Sequence, residues 1–317
     1  MPERGRAAQT GQRRAGMALG VSAYLLWGGL PLYLALARPA GALEVIAHRI
    51  IWSLALCALA VALGRLWPAV KAAVASPRRL AALAGASLLL TVNWLTFVWA
   101  IFNGQLVEAA LGYFINPLVS VLLGVAFLGE RLRPAQWAAV AVASAAVIVI
   151  TAAQRMFPWV ALVLAVSFGL YGYIEKRVGV RVPAVVSLSV ETALIAPFAL
   201  AYAVWLAATG SGTFPGLGWG HNLVLVGLGL VTAAPLLLFN AAARRLPLSV
   251  LGFVQYLCPV MHFLTGLLFF HEAMSAGRWF GFAAVWAALV TLSADAVWQA
   301  RRAARAAARA ILAAPGA

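Results

Sequence analysis

The sequence predicts an all-α membrane protein of ten transmembrane helices, and three observations predict it. Charged residues make up 10% of the 317 residues and hydrophobic ones 64%, against about 25% charged in an ordinary soluble domain. The apolar residues fall in long blocks, and 80–102, 221–243 and 279–293 contain no Asp, Glu, Lys or Arg. Such blocks recur along the chain, and a helix needs about 20 apolar residues to cross the hydrocarbon core. Between them stand turn-forming clusters: Arg38-Pro39-Ala40-Gly41, Ser76-Pro77-Arg78-Arg79, Asn103-Gly104, Arg133-Pro134 and the run from Gly210 to Gly216.

These breaks place spans near 16–37, 43–64, 80–102, 106–128, 135–153, 157–175, 183–208, 221–243, 246–270 and 277–297. An even number puts both termini on one side, and the loop charges choose which. Nineteen Lys and Arg fall on the side of the termini; Arg38, Arg155 and Arg278 fall on the other, and Arg49 lies within a span. By the positive-inside rule both termini are cytoplasmic, in a bacterial-type inner membrane. The formal net charge of +15 therefore reads as cytoplasmic membrane flanks and not as a nucleic-acid surface. The competing reading of the first block is a cleaved leader; its length of about 22 residues, with Trp27, Gly28-Gly29 and Pro31, favours a retained span. The Ala-rich basic tail from Arg301 is expected as a short helix on the cytoplasmic leaflet or as disordered chain. Cys57 and Cys258 sit in apolar blocks with no His, Cys or Asp at ligand spacing, so neither a disulfide nor a metal site is expected.

The chain also repeats itself. Pro117 and Pro259, Glu130 and Glu272, and Trp137 and Trp279 are each 142 residues apart, and Leu111-Gly112-Tyr113 recurs as Leu251-Gly252-Phe253 with a two-residue slip. This offset joins span four to span nine, so each half has five spans and the second half enters the membrane from the opposite face. Inverted repeats are a transporter architecture, with substrate near the midplane between the halves. The expected organisation is a basic N-terminus over 1–15, halves over 16–153 and 157–297, and a basic tail over 298–317.

Several local patterns resemble one family: Ala23-Tyr24 with Trp27-Gly28, His48-Arg49 with Trp52-Ser53, and Asn93-Trp94. Gly112-Tyr113-Phe114-Ile115-Asn116-Pro117, Gln255-Tyr256 with Pro259, Gly129-Glu130-Arg131 and His271-Glu272 fit it as well. From about Gly16 to Trp298 the sequence resembles EamA-type permeases of the drug/metabolite transporter superfamily, in their RarD branch. The resemblance implies ten helices in two EamA repeats, a cytoplasmic-membrane location, and export or exchange of a small metabolite, amino acid or drug-like solute. It fixes no substrate.

Ionisable groups inside a bilayer are functional candidates by default. Glu44 and His48 share a face of span two, and Arg49 is turned about 100° from His48. Arg49 is a candidate to hold an anionic substrate; the competing reading is an arginine that pairs with a carboxylate to lock two helices, or reaches to headgroups. Glu108 and Glu191 are the candidates for proton coupling, since a carboxyl in an apolar surround gains from taking up a proton. Asn93, Trp94, Tyr113, Asn116, Gln255 and Tyr256, with His48 and Arg49, make the expected substrate-binding set. Pro117 and Pro259, at equivalent repeat positions and each preceded by an amide side chain, are the expected hinge or gating points, because proline frees a carbonyl one turn earlier. The alternative for the amides is ordinary interhelical bridging. Glu130 and Glu272 are read as helix N-terminal carboxylates that stabilise fold or gate. No catalytic residue, cofactor or metal is expected: HExxH, GxSxG and a phosphate-binding loop are all missing from the sequence. A membrane enzyme, receptor or scaffold is the alternative class; it needs neither two matched halves nor loops this short. The expected partners are a small-molecule solute, the lipid bilayer and, if coupling holds, the proton.

Overall fold

The structure, a computed structural model, describes residues 2–128, 134, 137–142, 144–145, 148, 157–178, 182–243, 245–246, 250 and 254–313. Every regular element among the described residues is an α-helix. In chain order they are α1 (Pro2–Leu36), α2 (Ala42–Leu63), α3 (Trp67–Val74), α4 (Pro77–Phe102) and α5 (Leu106–Leu128). There follow α6 (Trp159–Val178), α7 (Ala184–Thr209), α8 (Trp219–Ala243), α9 (Leu257–Leu268) and α10 (Ala276–Ala313). Among the described residues, stretches of α1, α2, α4, α7, α8 and α10 are long and apolar enough to cross a membrane, and α5, α6 and α9 contain shorter apolar runs. Most of the expected span 135–153, the loop bearing Glu130, and residues 247–249 and 251–253 of the expected ninth span lie outside the described residues.

Local chemistry sets the helix limits. Ser76 caps α4, its Oγ accepting the Arg79 N–H at 3.5 Å, and Pro77 occupies the first helical position, where no N–H is needed. Gly210 closes α7 in the left-handed conformation at φ 64°. Two differences from the sequence expectation stand out. The basic stretch 65–79 contains a short helix, α3, whose Ala73 is buried with Leu83, Val186 and Val190. The tail is neither a separate helix nor irregular as far as Ala313, because α10 runs unbroken from Ala276. The N-terminal basic segment likewise continues into the first span as one helix.

By its contacts the chain forms two compact units, Met1–Asn116 with Trp159–Ala273, and Pro117–Pro158 with Met274–Ala317. Each unit draws on both sequence halves. In the first, α2 packs on α7 and α8, α1 on α8 and α9, and α4 on α6 and α7. Its main core joins Leu30, Ile46, Phe97, Leu106, Leu164 and Leu228 from six helices. In the second unit Phe282, Val285 and Leu289 are buried along α10, and Phe282 meets Trp286 edge-on with ring centroids 5.9 Å apart.

The surface has the reverse polarity of a soluble protein. Leu59, Phe198, Val204, Leu223 and Leu230 are exposed, whereas Glu44, Arg49, Asn93, Glu191 and His262 are buried. Lipid offers aliphatic side chains no drive to pack against one another, so helix association rests on close packing through small residues. A Cβ on Gly112 would lie 2.6 Å from the Ala161 carbonyl oxygen, and one on Gly229 would lie 2.5 Å from the Trp52 carbonyl carbon. Glycine at these two positions brings α5 onto α6 and α8 onto α2. We expect Gly112→Ala to lower stability by about 1–3 kcal/mol, because backbone cannot give way to the added methyl. Gly172→Ala, with open space around its Cβ position, is expected to stay within about 0.5 kcal/mol. Thermal unfolding of both variants in detergent checks the contrast.

Candidate functional site

Two buried polar groups form inside the first unit, and α4 supplies both. Asn93 and Trp94 are neighbours in sequence and so point about 100° apart around the helix. The Asn93 amide donates to the Leu164 carbonyl at 3.1 Å and to Ser167 Oγ at 3.0 Å. Its oxygen accepts from the Tyr113 hydroxyl at 3.2 Å. An aromatic shell surrounds Tyr113, with ring centroids of Phe97 at 5.6 Å, His262 at 5.7 Å and Phe168 at 6.3 Å. His262 ties this group to α1, its Nε2–H facing the Trp27 carbonyl at 3.0 Å.

Trp94 faces α2. The Arg49 guanidinium carbon sits over its ring, 4.1 Å from the centroid, a cation–π contact. Arg49 Nε donates to Thr232 Oγ1 at 3.0 Å. Its Nη1 is buried without a hydrogen-bond partner, as is Ser53 Oγ, which lies one turn further along the same face of α2. Among the described residues no carboxylate pairs with Arg49: its contacts are a hydroxyl and an indole, and at 4% exposure it does not reach outward.

The acids are disposed differently. Glu108 Oε1 accepts the Val160 N–H at 3.2 Å, at the start of α6. Glu272 accepts the N–H groups of Leu106 and Val107 at 2.6 and 2.9 Å, so it caps the start of α5. Glu44 Oε1 holds the loop before α8, accepting the Thr213 N–H at 2.6 Å, the Thr213 hydroxyl at 3.0 Å and the Phe214 N–H at 3.3 Å. A carboxylate at a helix start satisfies donors that have no partner within the helix. Glu191 is different: at 1% exposure its carboxylate lies 3.5 Å from the donating Tyr171 hydroxyl, and Ser87 donates to its backbone carbonyl at 2.7 Å.

The structure thus brings Asn93 and Tyr113 together, and Arg49 and Trp94 together. It does not add His48, which turns to the loop end of α2. There His48 Nδ1 accepts from Trp52 Nε1 at 3.3 Å and its ring lies 4.8 Å from that of Phe214. Asn116 is buried and bridges helices, donating to the Ala165 carbonyl at 3.1 Å. Gln255 and Tyr256 form a half-buried turn, and α9 starts at Leu257. Pro259 therefore lies in the first turn of a helix, while Pro117 lies inside the continuous α5. Sequence reasoning missed Ser53, Ser167 and Thr232 as members of these groups. Their only signal was a hydroxyl within an apolar block. Among the described residues, no three His, Cys, Asp or Glu side chains gather as a metal site would require.

An aliphatic exterior around a polar interior, built from repeated apolar helices, defines a multi-pass membrane protein. The profile of the EamA-like transporter family matches residues 14–152. The chain is 48% identical over 291 residues to Protein RarD of Streptomyces exfoliatus, covering 92% of each chain. It is 39% identical over 291 residues to Protein RarD of Escherichia coli (strain K12), covering 92% of this chain and 98% of that one. An uncharacterized transporter of Vibrio cholerae is 43% identical over 282 residues, covering 89% and 93%. A solved structure described as "Crystal structure of protein" shares the fold, with a TM-score of 0.57 at 21% identity over 88% of this chain and 97% of that chain. The chain belongs to the EamA-like transporter family, in its RarD branch.

The Glu44 contacts give a local test. Removing the carboxylate in Glu44→Ala leaves the Thr213 and Phe214 amides without their acceptor. Their hydrogen exchange is expected to accelerate by at least about tenfold, with exchange in α4 unchanged. Unchanged protection at 213–214 would show that the loop is held by other means.

Proposed function

We propose that this protein is a secondary transporter that exports or exchanges a small metabolite, amino acid or drug-like solute across the bacterial inner membrane. In this reading it works by alternating access, with two inverted five-span repeats over 16–153 and 157–297 and both termini in the cytoplasm. Family membership supports the class, and the profile match over 14–152 supports the first repeat as a unit of sequence. The observation that carries the reading is the pairing of buried polar groups across the two sequence halves. Arg49 meets Thr232, Asn93 meets Ser167, Ser87 meets the Glu191 carbonyl, and His262 meets the Trp27 carbonyl. Polar contacts in hydrocarbon are costly to form imperfectly, and contacts between halves are the ones that a change of access remakes.

The proposed binding set is Asn93, Trp94, Tyr113, Asn116, Gln255 and Tyr256 with Arg49, and His48 serves the loop-side entrance. Pro117 and Pro259 are the proposed hinge points; Pro117 is supported by the boundary between the compact units at Asn116 and Pro117. Glu191 is the stronger candidate for proton coupling, because the Glu108 carboxylate serves the start of α6.

Flux into proteoliposomes across a panel of amino acids and metabolites tests the class. Protein-dependent uptake that responds to an imposed proton gradient is expected. Absence of protein-dependent flux for the whole panel would reject transport of those solutes. Glu191→Gln is expected to retain exchange and lose the response to the gradient. Asn116→Ala and Gln255→Leu are each expected to weaken apparent affinity by roughly tenfold, and full affinity in both would remove these residues from the site.

A further inference from the structure

We propose that the solute is a small monocarboxylate with an apolar remainder, and that Arg49 Nη1 and Ser53 Oγ are the donors that hold its carboxylate. This rests on the transporter reading above and names the chemistry of its site.

Arg49 carries five N–H donors in a planar fork. Thr232 takes the Nε–H and Trp94 takes one face of the cation, but Nη1 is buried with no acceptor. No carboxylate among the described residues pairs with Arg49, and the acids with assigned contacts are committed elsewhere: Glu44 to the loop, Glu108 to α6, Glu272 to α5. A cation left this way in an apolar bundle is a strong bias toward an anion.

The second donor fixes the shape of that anion. Ser53 is fully buried, its Oγ has no partner, and it stands about 6 Å along the α2 axis from Arg49, on the same face. A carboxylate has two acceptor oxygens, and it can take the guanidinium N–H on one and the hydroxyl on the other. A neutral amide would leave the charge uncompensated, and a phosphate dianion would find too few donors. The wall supplies the rest of the specificity. Trp94 packs against buried Cys57, Leu90 and Leu188, which suits an apolar remainder and disfavours a second charge. Both donor atoms are closed off from solvent in this conformation, and a change of access that parts α2 from its neighbours uncovers them together.

The experiment compares 3-phenylpropionate and hexanoate with their carboxamides as ligands of the purified full-length protein in detergent, read as ligand-induced thermal stabilisation. Both carboxylates are expected to raise the unfolding midpoint in a saturable way, and the carboxamides to leave it unchanged. Ser53→Ala is expected to weaken the carboxylates by roughly tenfold and Arg49→Gln to abolish the response. Arg49→Lys, which keeps the charge but loses the fork, guards against misfolding and is expected to retain a weakened response. Amides that bind as well as acids, no response to either acid in the wild type, or Arg49→Gln affinity within about twofold of wild type would each overturn the proposal. Carboxylate binding with no protein-dependent flux of any solute would leave this site standing and reject the transporter. Flux of neutral or cationic solutes with no carboxylate preference would do the reverse.

Discussion

The constraint on which the rest depends is the absence of water from the hydrocarbon core, which obliges the backbone donors and acceptors to find partners within the protein and makes any unpartnered buried polar group costly. A helix meets this internally except at its ends, where four N–H groups are left over. The chain has only 8 acidic residues; two of them answer that need, and a third does the same for a loop. Glu108 serves the start of α6, Glu272 the start of α5, and Glu44 the loop that leads into α8. Each works across a large sequence separation and so also pins one segment of the bundle to another.

That distribution decides the electrostatics of the interior. With these carboxylates engaged by backbone N–H groups, Arg49 is left with a hydroxyl and an indole face. An indole stabilises a cation without neutralising it. Arg49 is thus a buried cation with no carboxylate partner among the described residues, and it lies where α8 approaches so closely that Gly229 has no room for a side chain. Tight packing and an uncompensated charge occupy the same seam. For a purely structural bundle this combination is unfavourable; for a protein that must admit a charged solute it is a usable ground state.

The six helices that are long and apolar enough to cross a membrane among the described residues were legible in the sequence because the hydrocarbon requirement writes itself locally, as blocks of fixed minimum length with few charges. Helix α3 was not, since its basic and proline-bearing stretch has the composition of a loop, and its one buried side chain, Ala73, carries no signal. The polar members of the site were half legible. Asn93, Tyr113 and Arg49 stood out as polar or charged residues in apolar surroundings, but their partners Ser167 and Thr232 lie 74 and 183 residues away. Glu272 was read as a helix N-terminal carboxylate from its place before a helix, but the Leu106 N–H that it also accepts lies 166 residues earlier, where no local pattern points. His48 and Arg49 are adjacent in sequence yet face different neighbours around α2, the Phe214 loop and the Thr232–Trp94 pair, a separation that adjacency conceals.

Pro117 and Pro259 show how equal sequence positions acquire unequal roles. Pro259 lies in the first turn of α9, where the missing N–H would have had no helical acceptor. Pro117 lies inside α5, where its ring removes the bond to the carbonyl four residues back, that of Tyr113. The weakened turn is thus the one that carries the Tyr113 hydroxyl to Asn93. It is also the turn at which α5 passes from one compact unit to the other. A bend at Pro117 would act on the turn that carries Tyr113, whereas Pro259, in the first turn of α9, costs no helical bond. Two prolines 142 residues apart in sequence therefore differ in what they do to the helices that carry them.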